Sequence, residues 1–313
     1  VNNGNNGVDP GERCAAVCAR VAGCQELSDA CGAERATALG ERCEAACDDE
    51  DLQRQILAVE EVDCATVTPL AIESFGLATV CGENAPNLEC GEDYVFVPAQ
   101  AETVALNLEL DTFTGEIIPG LLVRACAFDD EACEDEQASG MTDAEGKLTL
   151  EIPTNGFGWD GYLEVTHPDI EQALIMFAIP VSEDFDLAFS VSVPALTAQF
   201  TAVYGVEALD PERGSLVAGA TDCDGARIAG ATIATTNSDE NTGGGYLSGG
   251  APSASATVTG QDGLVVLFNI PAGRTDVVVE LPGAEPRTFA TYPILIRGDF
   301  LTEIIVPPPI VFP

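Results

Sequence analysis

The residues in this chain with the most chemical potential are two C-x3-C pairs, Cys14/Cys18 in "CAAVC" and Cys43/Cys47 in "CEAAC". Thiols at that spacing could ligate a metal, run thiol–disulfide exchange, or cross-link two helices. Zinc sites draw on imidazole or on the tighter C-x-x-C knuckle; here there is one histidine, His167, and no C-x-x-C. A redox thiolate needs a net cationic setting, but Arg13 and Arg42 are offset by Glu12 and Glu44. A structural staple is the reading left. Residues four apart share a helix face, so two antiparallel helices would join Cys14 to Cys47 and Cys18 to Cys43.

The elements that must hold those thiols follow from local signals. Asp9 can cap a helix, Pro10 suits its first position, and Glu12 falls where a capping box wants its acid. A second helix is expected over residues 33–50, and further ones over 51–61 and 69–81. Cys24, Cys31, Cys64, Cys81 and Cys90 are expected to pin these helices to the hairpin. Five is an odd number, and Cys126 and Cys133 flank a short acidic loop that they would close between them, so Cys223 is the candidate partner for the remaining thiol. Spacing alone does not fix this connectivity.

The 12 cysteines form an even count concentrated near the start, which implies disulfides and an oxidising compartment outside the cytosol. The chain starts with Val1 and shows no basic segment followed by an apolar run, so removal of a signal peptide is expected. No apolar run approaches the roughly eighteen residues of a membrane helix, and no membrane insertion is expected. Only 12 Lys plus Arg face 52 Asp plus Glu, for a net charge of −40. Such a surface repels nucleic acid and anionic lipid and suits a medium rich in screening cations.

Calcium is the candidate cation. Asp129 and Asp130 open the acidic run "DDEACEDE", and Asp222 and Asp224 alternate in "TDCDG". Hard carboxylate oxygens suit calcium, although the D-x-D-x-D-G loop with its closing Glu is absent, and solvated acidic loops are the alternative reading. His167 precedes a proline at a strand end, and no G-x-S-x-G elbow accompanies it, so it reads as a surface turn residue. The chain reads as non-enzymatic, with no catalytic residue assigned.

From about residue 94 the texture changes to alternating β-formers with turn signals every eight to twelve residues, the pattern of β-sandwiches. "GEIIPGLLV" (115–123) aligns without a gap on "GARIAGATI" (225–233), and "TDAEGKLTLEIP" (142–153) on "TGQDGLVVLFNIP" (259–271) with one inserted residue. Two blocks in the same order, about 110 residues apart, indicate a duplicated domain. The order G-x-x-I-x-G-x-x-V, then T-x-x-(D/E)-G and a strand ending in I-P, resembles carboxypeptidase regulatory-like domains, the transthyretin-like or prealbumin-like sandwiches. The resemblance implies seven-stranded, non-catalytic modules of the kind fused to enzymes, receptors or surface proteins. Related collagen-adhesin-type B domains often carry a Lys–Asn isopeptide bond; Lys147, the single lysine, follows a hairpin turn rather than opening a first strand, so disulfides are expected to take that role.

Two stretches ask for contacts. The polar Gly/Ser-rich run 236–255 carries Tyr246, read either as flexible decoration or as a sugar- or protein-binding loop. The chain end, "IIVPPPIVFP", places Ile304, Ile305, Val306, Pro307, Pro308, Pro309, Ile310, Val311 and Phe312 in a segment without a polar side chain. It either finishes the last strand in its own sandwich or lies against the next subunit.

The expected architecture is multidomain, α plus all-β: an N-terminal arm (1–8), a Cys-rich helical domain (9–93), two antiparallel sandwiches (94–197 and 198–303) and an apolar C-terminal arm (304–313). The expected function is an exported, self-assembling structural subunit, with a cell-surface adhesin for glycan or protein, supported by calcium, as the alternative.

Overall fold

A computed structural model describes residues 9–24, 96–281 and 287–309, together with Gly40, Cys43, Glu44, Cys47, Gln53, Ile56, Leu57, Cys64 and Leu88. The expected arm 1–8, the helix over 69–81, Cys31, Cys81, Cys90 and Ile310–Phe312 lie outside the described residues. The chain divides into two compact units, Val1–Pro86 with Leu281–Arg287, and Asn87–Glu280 with Thr288–Pro313.

In the first unit, helix α1 (Pro10–Ala22) starts as its sequence dictates. Pro10 occupies the first turn, and the Asp9 carboxylate accepts the Gly11 N–H at 2.7 Å. The side chain of Glu12 lies outside the described residues. Cys14, Val17, Cys18 and Val21 are buried, one stripe at helical spacing. Disulfides join Cys14 to Cys47, Cys18 to Cys43 and Cys24 to Cys64. Gly40, Cys43, Glu44, Gln53, Ile56, Leu57 and Cys64 are helical. Each of these cross-links contributes about 2–4 kcal/mol.

The second unit is built from β1 (Thr103–Thr112), β2 (Leu122–Ala127), β3 (Ala138–Met141), β4 (Lys147–Pro153), β5 (Gly161–Thr166), β6 (Ala173–Met176) and β7 (Phe185–Val191). Helix α2 (Pro194–Tyr204) follows, then β8 (Arg213–Ala220), β9 (Thr232–Thr235), β10 (Gly243–Ser248), β11 (Ala251–Ser253), β12 (Leu264–Pro271), β13 (Gly273–Leu281), β14 (Arg287–Ile296) and β15 (Leu301–Val306). Helix α2 corrects the expected boundary at 197/198, which falls inside it. Its sequence carried the signals: Pro194 at the start and Gly205, at φ 71°, just past the end.

The duplication is visible bond by bond. Gly115, Gly120 and Gly146 in the first repeat, and Gly225, Gly230 and Gly263 in the second, all have φ between 62° and 81°. A left-handed backbone at these turns explains why both blocks keep glycine there. Thr142 accepts the Leu121 N–H at 3.0 Å, as Thr259 accepts the Ala231 N–H at 2.9 Å. The Thr112 hydroxyl accepts the Glu116 N–H at 3.0 Å, as the Asp222 carboxylate accepts the Ala226 N–H at 2.9 Å.

The sheets are mixed rather than purely antiparallel. In the first repeat a three-stranded sheet, β4-β1-β7, pairs β1 with β7 in parallel; in the second, β8 and β15 pair in the same way. The outer edge of β15 is not free: it takes β6 of the first repeat as a second parallel neighbour. A nine-stranded sheet, β11-β10-β12-β8-β15-β6-β5-β2-β3, therefore runs through both repeats, and β14-β13-β9 forms the third sheet.

Register shows which face each small sheet covers. Ile175, Glu303 and Val217 lie side by side on one face. Ile175 packs there with Leu106, Leu108 and Leu150 of the β4-β1-β7 sheet. Thr302, on the opposite face, donates to the Leu295 carbonyl of β14 at 2.8 Å. The two small sheets thus cover opposite faces of the shared layer. Where the second repeat lacks a sheet on the first face, α2 supplies Phe200 and Tyr204 against Val217, Val266, Phe268 and Leu301.

Thr259 is buried, and its hydroxyl also donates to Ile228 O at 2.9 Å. Thr259→Val strands both partners and is expected to cost about 1–3 kcal/mol in chemical denaturation of the oxidised protein. Thr142→Val is expected to act in the same direction.

Candidate functional site

The acidic loop between Cys126 and Cys133 is closed by their disulfide. The Asp130 carboxylate accepts the Asp135 N–H at 2.9 Å, a bond that holds its carboxyl below the ordinary range, and Asp129 is exposed. The Asp222 carboxylate accepts the N–H groups of Asp224 and Ala226 at 3.0 and 2.9 Å, which caps a turn. Among the described residues, the one group of three or more candidate ligand atoms within 4.8 Å is Cys14, Cys18 and Cys47, whose sulfurs are in disulfides. Cys223, between the two aspartates, is itself disulfide-bonded, with a partner outside the described residues.

The acidic loop meets arginines of the second repeat. Arg274 donates to the Glu131 carboxylate at 2.8 Å and to Phe128 O at 3.1 Å, with its guanidinium 4.9 Å from the Phe128 ring centroid. Arg297 donates to Glu131 O at 3.3 Å and stacks 3.8 Å from the centroid of Phe300. Beneath the loop, Glu164 is 3% exposed and takes Arg124 on one oxygen and Arg297 on the other. Tyr162 donates to Asp130 O at 2.6 Å, and burial pushes its phenol up to about 12. Two of the chain's few cations, Arg274 and Arg297, therefore cross the joint between the repeats, and Arg124 shares Glu164 from the first repeat.

On the other face of the shared sheet, next to β7, lies a cleft of about 620 Å³. Its walls include Ile175, Phe177, Ile179, Leu187, Phe189, Val217, Leu264 and Ile305. Phe113 and Phe185 stand at its rim, 44% and 43% exposed. Two charged-type side chains interrupt this apolar lining from the second repeat. Glu303, on the central strand β15, is 3% exposed, and its Oε1 has no hydrogen-bond partner. Burial raises its pKa well above the ordinary 4.5, which favours the protonated acid. Arg227 is exposed along part of its length, but its guanidinium lies over Gly219, beside Leu264 and Ile305, where an added Cβ would meet Nη1 at 2.5 Å. That desolvation lowers its pKa, and among the described residues it forms no ion pair.

The duplication shows how unusual Glu303 is. Its counterpart in the first repeat is Asp186, which pairs with Asn107 and accepts the Asn107 amide at 2.9 Å on an exposed face. In the second repeat the partner position holds Val217, so the acid is both buried and without a donor.

The remaining sequence candidates are placed as follows. Tyr246 belongs to β10 rather than a loop; its hydroxyl accepts the Ile233 N–H at 3.2 Å, and its carbonyl accepts the Tyr204 hydroxyl at 2.9 Å. Within residues 236–255, β10 (Gly243–Ser248) and β11 (Ala251–Ser253) form an edge of the large sheet. Ile304, Ile305 and Val306 finish β15: Ile304 pairs with both β6 and β8, and Ile305 and Val306 pair with β8. Pro307 and Pro308 are buried and Pro309 is exposed. Lys147 forms a surface ion pair with Glu109 at 3.8 Å, and His167 Nδ1 accepts the Asp169 N–H at 3.2 Å. No helix among the described residues is long and apolar enough to cross a membrane.

No protein-family model and no curated protein matches the chain. Solved structures similar to it include the shaft pilin SpaA from Lactobacillus rhamnosus GG (12% identity, TM-score 0.22, covering 67% of this chain and 100% of that one). A streptococcal ancillary pilin matches at 10% identity and TM-score 0.22, covering 67% of this chain and 64% of that one. The Bacillus anthracis TIE protein matches at 13% identity and TM-score 0.21, covering 66% of this chain; the chain spans 34% of that protein's length. These superpositions are loose, and the reading below rests on the chain's own residues.

Glu164→Gln leaves two arginines without their shared carboxylate and is expected to cost about 3–5 kcal/mol, read by denaturation. Glu303 has the opposite sign. Its folded pKa is raised, so the folded chain keeps a proton that the unfolded chain releases above about pH 4.5. The stability linked to that proton is complete below pH 4.5 and is lost as pH rises through the window up to the folded value. Glu303→Gln is therefore expected to gain on wild type as pH rises from 4 to 7, read as the difference in denaturation midpoint.

Proposed function

We propose that this protein is a non-enzymatic, exported structural subunit that associates with copies of itself. The observation that carries this reading is the joint: two repeats share one sheet through β6 and β15 and are clamped by Arg274 and Arg297, with Arg124 sharing the Glu164 carboxylate from the first repeat. A module that only displayed a binding loop would gain nothing from welding its repeats, whereas a load-bearing one would. Disulfides in the helical unit and across the acidic loop add covalent restraint of the same kind. Self-association has to overcome a net charge of −40, so it is expected to strengthen with added divalent salt.

A second reading, a secreted binding protein, is favoured by the apolar cleft with its exposed Phe113 and Phe185 rim. Electron microscopy of native material, with light scattering of purified protein across concentration and calcium, separates the two. Ordered polymers or a concentration-dependent rise in mass are expected. A monomer under all conditions rejects the structural-subunit reading and leaves the binding protein.

A further inference from the structure

We propose that the cleft beside β7 is a binding site for an aliphatic carboxylate, with the ligand's head group held between Glu303 and Arg227 and its chain against the apolar walls. This goes beyond the structural role proposed above and stands whether or not the protein polymerises.

Size and lining come first. A cleft of about 620 Å³ is in the range of small-molecule sites, which are mostly apolar with a few placed polar groups. The polar groups are the informative part. A buried carboxyl with an oxygen that lacks any partner costs free energy, and the fold does not relieve it as it relieves Asp186 in the first repeat. Arg227 sits on the same face as Glu303, over Gly219, and Gly219 and Ile305 are register partners two residues along from Val217 and Glu303. Two residues of strand correspond to about 7 Å between the backbone positions of Val217 and Gly219. No ion pair joins the two side chains, so both can donate to one ligand carboxylate.

The groups facing the cleft choose the head group. Glu303 is buried with an unpartnered oxygen, a setting that favours its protonated, donating form, and Arg227 can only donate. Two donors and a positive charge call for an anionic acceptor, not an ammonium. Glu183 stands exposed at the rim and is the other charged residue of the lining, so the anion's place is at Arg227, away from that carboxylate. Phe177, Ile179, Leu187 and Phe189 then face an alkyl chain. A sugar or a peptide backbone would leave its many polar groups unpaired on these walls.

The test is calorimetric titration of the full, disulfide-intact chain with dodecanoate, and with 1-dodecanol and dodecylammonium as head-group controls. One saturable dodecanoate site per chain is expected, with both controls at least tenfold weaker, the ratio of one charge-assisted hydrogen bond. Arg227→Met, at an exposed position, is expected to lower dodecanoate affinity about tenfold and leave dodecanol unchanged. Glu303→Gln, which keeps a donor, is expected to retain more affinity than Glu303→Leu, with thermal melts confirming that each variant folds. Absence of saturable dodecanoate binding, equal affinity for acid and alcohol, or an unchanged Arg227→Met variant would each overturn the proposal.

Discussion

Strand β15 has a parallel neighbour on each side, and that double pairing turns two repeats into one body. In an isolated sandwich of this kind the strand would be an edge, with a row of backbone N–H and C=O groups facing solvent or a stranger. Here β6 of the other repeat satisfies the row. The consequence reaches both faces of the sheet. One repeat contributes its β6-β5-β2-β3 side to the shared layer and the other its β12-β8-β15 side, so the two covering sheets must fall on opposite faces. Burial of Glu303, the place of α2 and the cleft beside β7 all follow from that exchange.

The joint also explains where the chain spends its cations. With 12 Lys plus Arg against 52 acids, arginine is scarce, yet Arg124, Arg274 and Arg297 converge on Glu131, Glu164 and the carbonyls around them. A paired, hydrogen-bonded triad in a partly buried setting is held far more strongly by geometry than the surface pairs elsewhere, such as Lys147 with Glu109. The acidity of the remaining surface and the clustering of arginines at the joint are two sides of one distribution.

Much of the local structure was legible in the sequence. The C-x3-C spacing and the cap at Asp9 pointed to a stapled helix, and the matched glycines marked turns whose left-handed backbone is the same in both repeats. What stayed hidden was non-local. Nothing in "LTEIIV" distinguishes a central strand from an apolar arm, because the β6 partner lies some 130 residues earlier and parallel pairing leaves no turn signature. Glu303 read as one acid among 52 for the same reason: only the loss of an Asn107 counterpart at Val217 makes it special, and that comparison needs the register. Composition reported the charge of the acidic loops and not the backbone N–H groups and arginines that they meet.

Opposite-face covering has a geometric corollary for any array made of such modules. Each further repeat joined by the same strand exchange would reverse which side of the ribbon carries its lid, giving an alternating profile instead of a smooth rod. Growth by that rule also needs a lock as well as an edge: a newcomer lacking counterparts of Arg274 and Arg297 would seat its backbone and still leave the preceding acidic loop unfastened. Pairing of strands alone would then count modules without committing them, and the guanidinium pair would decide which junctions are permanent.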